Sequence, residues 1–310
     1  MKESPRIAVV CGGVSQERSV SIGSGKASAR GLAQHFKVDF VELSEEALPP
    51  ILAPERHVVF STLHGSFGED GGFQEMLDEA GFEYAGCDRA SSALTFDKAR
   101  TKDALAAAGV PVAVQIEFDR SAVPDPQSVL DRLGPAVALK PICQGSSIGL
   151  SFATNLRELE EALSDLPFER WMIEPLIVGK EVSVGVLEGE PLEIVEIRPK
   201  SGKFDYESKY TSGLTDYIVP APLSKNLEKK VKSIAADAFL ACGCRDYGRV
   251  DFMIDEEDNP FVLELNTLPG MKDTSLLPMS AGACGINFES LLKKLVAPAI
   301  MRFQNRYSIC

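Results

Sequence analysis

Apolar and polar positions along the chain follow two alternating rhythms. A short continuous apolar run at 6–11 reads as a buried strand, 38–43 and 57–62 read as further strands, and 15–32 between the first two reads as a helix. Strands that alternate with helices predict a parallel sheet with crossover connections, whose ligands collect at the carboxyl ends of the strands. Two glycine-bearing loops fall there. One runs from Gly12 and Gly13 past Glu17, and the other, 63–72, carries His64. Residues 89–108 have the pattern of one helix, closed by Gly109 and Pro111, with Lys98 and Lys102 as solvated charges on its surface. Further strands are expected at 136–141, 150–153, 170–174, 181–187 and 192–198, with helices at 155–163, 223–242 and 288–303. Residues 200–215 and 272–281 read as loops, and the length of the first marks it as functional.

One stretch organises the rest. Between Tyr247 and Met271 two apolar runs flank an acidic turn ending at Pro260, the pattern of a hairpin. A register with Ile254 opposite Phe261 sets Asp251 opposite Glu264 and Arg249 opposite Asn266, all on one face. Facing carboxylates repel, so the pairing needs compensation. A hard cation supplies it. The oxygen-only set Asp251, Glu264 and Asn266 suits Mg2+, which keeps waters and phosphate oxygens in its other positions, and does not suit zinc. The plainer alternative is a solvated polar face. Lys140 ends an apolar run and is followed by Gly145-Ser146-Ser147-Ile148-Gly149, a turn whose backbone N–H groups can approach an anion closely. This is not a Walker loop, and the Gly12-Gly13 turn is not the dinucleotide fingerprint. From spacing alone Glu17 does no more than complement a helix dipole, and a lone His64 is a structural or solvated residue.

Composition narrows the class. The chain has 310 residues, 45% hydrophobic and 25% charged, enough for two or three domains with real cores. A net charge of -13 argues against a nucleic-acid partner and against docking on anionic membranes. Neither a signal peptide nor an apolar run of the ~20 residues needed to span a bilayer is evident, so a cytoplasmic location is expected. Seven cysteines without a Cys-x-x-Cys pair point to reduced thiols.

Taken in order, seven motifs resemble the D-alanine–D-alanine ligase family of the ATP-grasp superfamily, nearly end to end. They are Gly12-Gly13-x-Ser15-x-Glu17-Arg18-x-Val20-Ser21, Leu63-His64-Gly65-x-x-Gly68-Glu69-Asp70-Gly71, Asp97-Lys98, Lys140-Pro141-x-x-x-Gly145-Ser146-Ser147-Ile148-Gly149, Tyr206-Glu207-x-Lys209-Tyr210, Gly248-Arg249-Val250-Asp251 and Leu263-Glu264-x-Asn266-Thr267-x-Pro269-Gly270-Met271. The resemblance implies a composite α/β fold of three ATP-grasp domains. These would be a Rossmann-like parallel-sheet domain at 1–92, a central domain at 93–178 and a C-terminal domain at 179–310. It implies ATP-dependent ligation of two D-alanines through a D-alanyl phosphate, for peptidoglycan precursors, by a homodimer. ATP and two Mg2+ ions would be required, with Mn2+ able to substitute, and Asp251, Glu264 and Asn266 would hold the metal.

The same resemblance assigns Lys98, Lys140 and the Gly145, Ser146 and Ser147 loop to nucleotide phosphates, and Glu174, Leu176 and Glu181 to the adenosine. Glu17 would anchor the first D-alanine's ammonium, with His64 nearby. Lys209, which also belongs to the nucleotide set, would contact the second substrate's carboxylate with Ser275, alongside Gly270 and Leu276. Glu17, Ser146 and Tyr210 would form a trio docking the 200–215 loop. Arg249 and a backbone N–H near Gly270 would face the oxyanion. The chain departs from the family pattern at Ile142-Cys143-Gln144, Glu75 and Lys272, and its tail, 304–310, has no assigned role. The alternatives are D-serine or D-lactate as second substrate, another ATP-grasp ligase, and a non-catalytic nucleotide-binding regulator.

Overall fold

The computed structural model describes residues 4–200 and 213–308. The first sheet is parallel, ordered β2 (Val38–Leu43), β1 (Arg6–Gly12), β3 (His57–Ser61) and β4 (Glu83–Tyr84). β1 is a continuous apolar run because both of its faces are covered. Ile7 and Val9 face one core with Leu32, and Ala8 and Val10 face another with Phe73 and Leu77. The covering helices are α1 (Arg18–Leu32) and α2 (Gly72–Glu79), of which α2 was not foreseen. The buried side of α1 is Ser21, Ser24, Gly25, Ser28 and Gly31 as well as Leu32. Small residues there permit close packing: a Cβ at Gly25 would lie 2.5 Å from the Cys11 Cβ.

The expected single helix at 89–108 is two, α3 (Arg89–Phe96) and α4 (Lys98–Ala107). Asp97 breaks it. Its backbone is extended, and its carboxylate caps α4 by accepting from the Arg100 N–H at 3.0 Å. The second sheet is antiparallel, ordered β5 (Ile116–Asp119), β8 (Arg170–Pro175), β6 (Val137–Pro141) and β7 (Ser151–Ala153). It shares a core with α5 (Pro126–Leu133) and α6 (Leu156–Ser164). β5 and α5 were also unforeseen.

The third sheet is antiparallel, ordered β11 (Thr215–Ile218), β10 (Glu190–Pro199), β9 (Gly179–Leu187), β12 (Tyr247–Asp255) and β13 (Pro260–Asn266). One face packs on α7 (Lys225–Ala241), with Leu105 of α4 joining the same core. The expected loop at 272–281 is instead largely α8 (Leu276–Ala283), with Ser275 at its N-cap position and Pro278 tolerated in the first turn. The last helix, α9 (Phe288–Ser308), runs past its expected end at 303 and returns to the first sheet. Its Leu291, Leu295 and Ala299 share a core with Ile7 and Phe60. Within the tail, Arg306 donates to the Gly81 carbonyl at 2.6 Å.

The hairpin register needs one correction. Ile254 pairs with Pro260 and Met253 with Phe261, not Ile254 with Phe261. A bulge at Leu263 then restores the expected pairs, Asp251 with Glu264 and Arg249 with Asn266. The extra residue shifts the phase of β13, so Val262 and Leu265 both enter the core while Leu263 and Glu264 both face the cleft. No helix among the described residues is long and apolar enough to cross a membrane.

Candidate active site

Two cavities lie in the cleft between the sheets, of about 640 and 500 Å³, and Glu264 lines both. The expected nucleotide residues Lys98, Lys140, Ser147, Glu174, Leu176 and Glu181 line the first, with Asp251. Glu17, His64, Gly145, Ser146, Arg249, Asn266, Gly270, Ser275 and Leu276 line the second. Residues that the sequence left scattered over about 260 positions thus form two adjoining chambers.

The first chamber carries two lysines among several carboxylates. Lys98 opens α4, its Nζ 2.5 Å from the Gln144 carbonyl and 3.5 Å from Glu264 Oε2. Of the atypical segment 142–144, Gln144 therefore supplies a backbone carbonyl here, while Ile142 is buried against Ala99 and Met172. Lys140, next to last in β6, donates to Glu174 Oε1. Lys102, one turn after Lys98, donates to Glu174 Oε2 at 2.5 Å. Burial alone would raise the Glu174 carboxyl, but Lys140 and Lys102 outweigh it and hold the group at about 2. Burial draws the Lys102 ammonium down against the pull of Glu174, with Lys140 adding to the downward push. Lys102 is 3% exposed, so the expectation of a solvated charge was incorrect. The signal that could have found it was its four-residue spacing from Lys98, which places both on one helix face. Leu263, Met253, Phe152 and Ile177 add apolar surface to this chamber.

The second chamber is anchored by α1 and the glycine-rich turns. Ser146 donates to Glu17 Oε1, joining the phosphate-type loop to the start of α1. Ser146 and Ser147 both lie in the left-handed region, at φ 51 and 57. Non-glycine residues there cost ~1–3 kcal/mol each, strain that concentrates at ligand clamps. His64 is fixed from two sides, with Nε2 3.3 Å from Ser24 Oγ and Nδ1 3.4 Å from Glu69 Oε1. Sequence reading did not single out Ser24 or assign Glu69 a role, although Glu69 stands within a quoted motif. The Ser275 Oγ accepts from the Lys272 N–H at 3.1 Å. Lys272 also lines the chamber and lies over Gly23, where a Cβ would come within 2.6 Å of its Cε. Tyr206, Lys209 and Tyr210 lie outside the described residues.

Between the chambers, Asp251 organises the hairpin. Arg249 grips it in a fork at 2.9 and 2.7 Å, Ser183 Oγ donates at 2.6 Å and Asn266 Nδ2 at 2.9 Å. The repulsion expected between Asp251 and Glu264 is thus already offset by Arg249 on one side and Lys98 on the other. Among the described residues no group of three His, Cys, Asp or Glu gathers to hold a metal. Two carboxylates and the Oδ1 end of an amide are what the hairpin offers. That set is poor for zinc and fits Mg2+, which takes one or two protein carboxylates and leaves room for phosphate oxygens.

Residues 104–297 match the family described as "D-ala D-ala ligase C-terminus". The chain is 37% identical over 302 residues to the D-alanine–D-alanine ligase of Methylacidiphilum infernorum, covering 96% of each. It is 38% identical over 301 residues to that of Saccharophagus degradans, covering 96% of this chain and 95% of the relative. Among solved structures, the Bacillus anthracis D-alanine–D-alanine ligase complexed with ATP superposes with a TM-score of 0.85 at 30% identity, over 97% of this chain and 99% of that one. VanG D-Ala:D-Ser ligase from Enterococcus faecalis gives 0.80 at 27% identity, over 96% of this chain and 100% of that one. End-to-end likeness at this level means that the chain belongs to the D-alanine–D-alanine ligase family, within the ATP-grasp fold.

Proposed function

We propose that this chain joins two D-alanines to D-alanyl-D-alanine at the expense of ATP, supplying peptidoglycan synthesis. The observation that carries the reading is the meeting of the two chambers at Glu264, which sets the chamber bearing Lys98 and Lys140 against the one bearing Glu17 and Arg249. The γ-phosphoryl group moves to the carboxylate of the first D-alanine, which makes its carbonyl electrophilic. The amine of the second D-alanine attacks that carbonyl and inorganic phosphate leaves. Phosphoryl transfer is chiefly positioning and charge stabilisation, and the chain supplies both. Lys98 and Lys140 face the phosphates, and Glu17, already oriented by Ser146, takes the first ammonium. Arg249, held by Asp251, faces the oxyanion of the tetrahedral intermediate. Loss of one such donor costs ~10²–10³ in rate. Mg2+, when bound by Asp251, Glu264 and Asn266, supplies charge neutralisation at the phosphates. The loop from Gly145 to Gly149 excludes water, which otherwise hydrolyses an acyl phosphate.

The same reading assigns the catalytic domains to 1–92, 93–178 and 179–310, and has the enzyme act as a cytoplasmic homodimer. The test is phosphate release from Mg-ATP with D-alanine, D-serine, D-lactate or L-alanine, each product identified by mass. D-alanyl-D-alanine is the expected product. A mixed product with D-serine would instead align the chain with the D-Ala:D-Ser branch, and ATP binding without turnover would favour a regulator.

A further inference from the structure

Three buried or half-buried groups on the nucleotide wall carry charges that do not cancel. Glu174 is 5% exposed and both of its oxygens are taken by lysines, Oε2 by Lys102 at 2.5 Å and Oε1 by Lys140. Lys140 and Glu174 line the nucleotide chamber, whereas Lys102 does not. Lys102 stands behind Glu174 and is the more deeply buried of the two lysines, its side chain 3% exposed against 12% for Lys140. With all three ionised the set is net positive by one charge. Without Lys102 the remaining pair is neutral, and Glu174 would cancel the cation presented to the phosphates.

We propose that Lys102 is a positioning residue for nucleotide binding. It occupies one oxygen of Glu174 and so preserves the charge that Lys140 presents to the ATP phosphates. This rests on the ATP-dependent reading above and adds to it a residue that does not touch the nucleotide. The physical ground is that a buried charge is screened little, so one uncompensated charge several ångströms from a polyphosphate has a substantial effect on affinity. Burying two ammonium groups against one carboxylate is costly as a means of stability alone, since apolar residues of similar volume serve at least as well. That cost is accounted for if the surplus charge serves the ligand.

The test uses the full chain, with a non-hydrolysable ATP analogue titrated by calorimetry and thermal melting run in parallel. Lys102→Met is expected to weaken analogue binding about 10- to 50-fold, with the KM for D-alanine unchanged. Lys102→Arg should stay within about 3-fold of the parent. The decisive comparison is with adenosine, which lacks the phosphates: Lys102→Met should bind it within about 3-fold of the parent, a selectivity for the polyphosphate that a packing role for Lys102 does not produce. Lys102→Gln, which keeps a polar group beside Glu174 and removes the charge, should show the same selective loss and serves if Lys102→Met fails to fold. Parent-like analogue binding by either folded variant overturns the proposal, as does an equal loss for adenosine. If the parent itself binds no adenine nucleotide, the ATP reading fails, a result distinct from each of these.

Discussion

Glu264→Gln and Asp251→Asn separate the metal role of the hairpin from its structural role. Both substitutions remove one negative charge from the same strand pair, but their surroundings differ. Asp251 is 6% exposed and holds Arg249 by two hydrogen bonds, with Ser183 and Asn266 completing its shell. Neutralising it removes the carboxylate charge onto which the Arg249 guanidinium, only 14% exposed, is forked. Breaking one side of a buried pair costs ~3–5 kcal/mol. Glu264 is 25% exposed and its ammonium partner, Lys98, is 3.5 Å away. Solvent screening reduces such a pair to less than about 1 kcal/mol. Urea denaturation followed by circular dichroism should therefore show Asp251→Asn destabilised by ~2–4 kcal/mol more than Glu264→Gln. Phosphate release as a function of Mg2+ concentration should be impaired in both. For Glu264→Gln the Mg2+ requirement should rise by at least ~10-fold, since even outer-sphere changes reach 10–100-fold in metal affinity. A Glu264→Gln protein with the parental Mg2+ dependence would remove the hairpin as the metal site. One as unstable as Asp251→Asn would show that the charge balance around Lys98 has been misread.

Three further outcomes are expected. Asp39, hydrogen-bonded by Arg6 and His57, has its carboxyl held down at about 2 against an ordinary 3.8, so its contribution is complete above pH ~4 and lost as pH falls through about 2. Asp39→Asn should cost ~1 kcal/mol at pH 7 after allowance for solvent screening, and its stability curve should converge on the parent's in acid; parallel curves down to pH 2 would refute the pairing. Cys143→Ser should leave turnover unchanged, because burial pushes that thiol up and keeps it protonated at neutral pH; an inactive variant would give the thiol a role. Gly12→Ala meets a φ of +90 and a Cβ 2.6 Å from the Leu43 carbonyl and 2.8 Å from Arg18 Nη1, so it should lose ~1–3 kcal/mol and raise the KM for D-alanine through the displaced turn before Glu17. A neutral result in melting and kinetics would refute that account of the turn.

Local interactions made much of the site legible in the sequence. The strands β1, β2 and β3 are legible from residue type over short segments, and the polar face of the hairpin from side-chain alternation, neither of which needs knowledge of distant residues. Asp251 opposite Glu264, an arrangement that Coulomb repulsion disfavours, pointed for the same reason to a compensating cation, a part that Arg249 and Lys98 already fill in the fold. The order of the motifs then supplied the family, because several short patterns in sequence carry more information than any one of them.

The remaining features depend on what the chain meets in three dimensions. The bulge at Leu263 arises where Val262 and Leu265 must both reach one core while Leu263 and Glu264 face the cleft, a conflict that strict alternation cannot satisfy. The helix breaks at Asp97 where its carboxylate both caps α4 and receives Arg170 Nη1 at 2.6 Å, and the second partner comes from a strand 73 residues away. Lys98 and Lys102 share a helix face and look alike in sequence. Only the passage of β8 behind α4 buries Lys102 against Glu174 and leaves Lys98 at the chamber wall. The sequence by itself thus singled out most of the residues that the fold brings to the two chambers, since residue type and short spacing are local properties. Tertiary structure decided their partners and ionisation, because burial and distant countercharges exist only once the sheets are assembled.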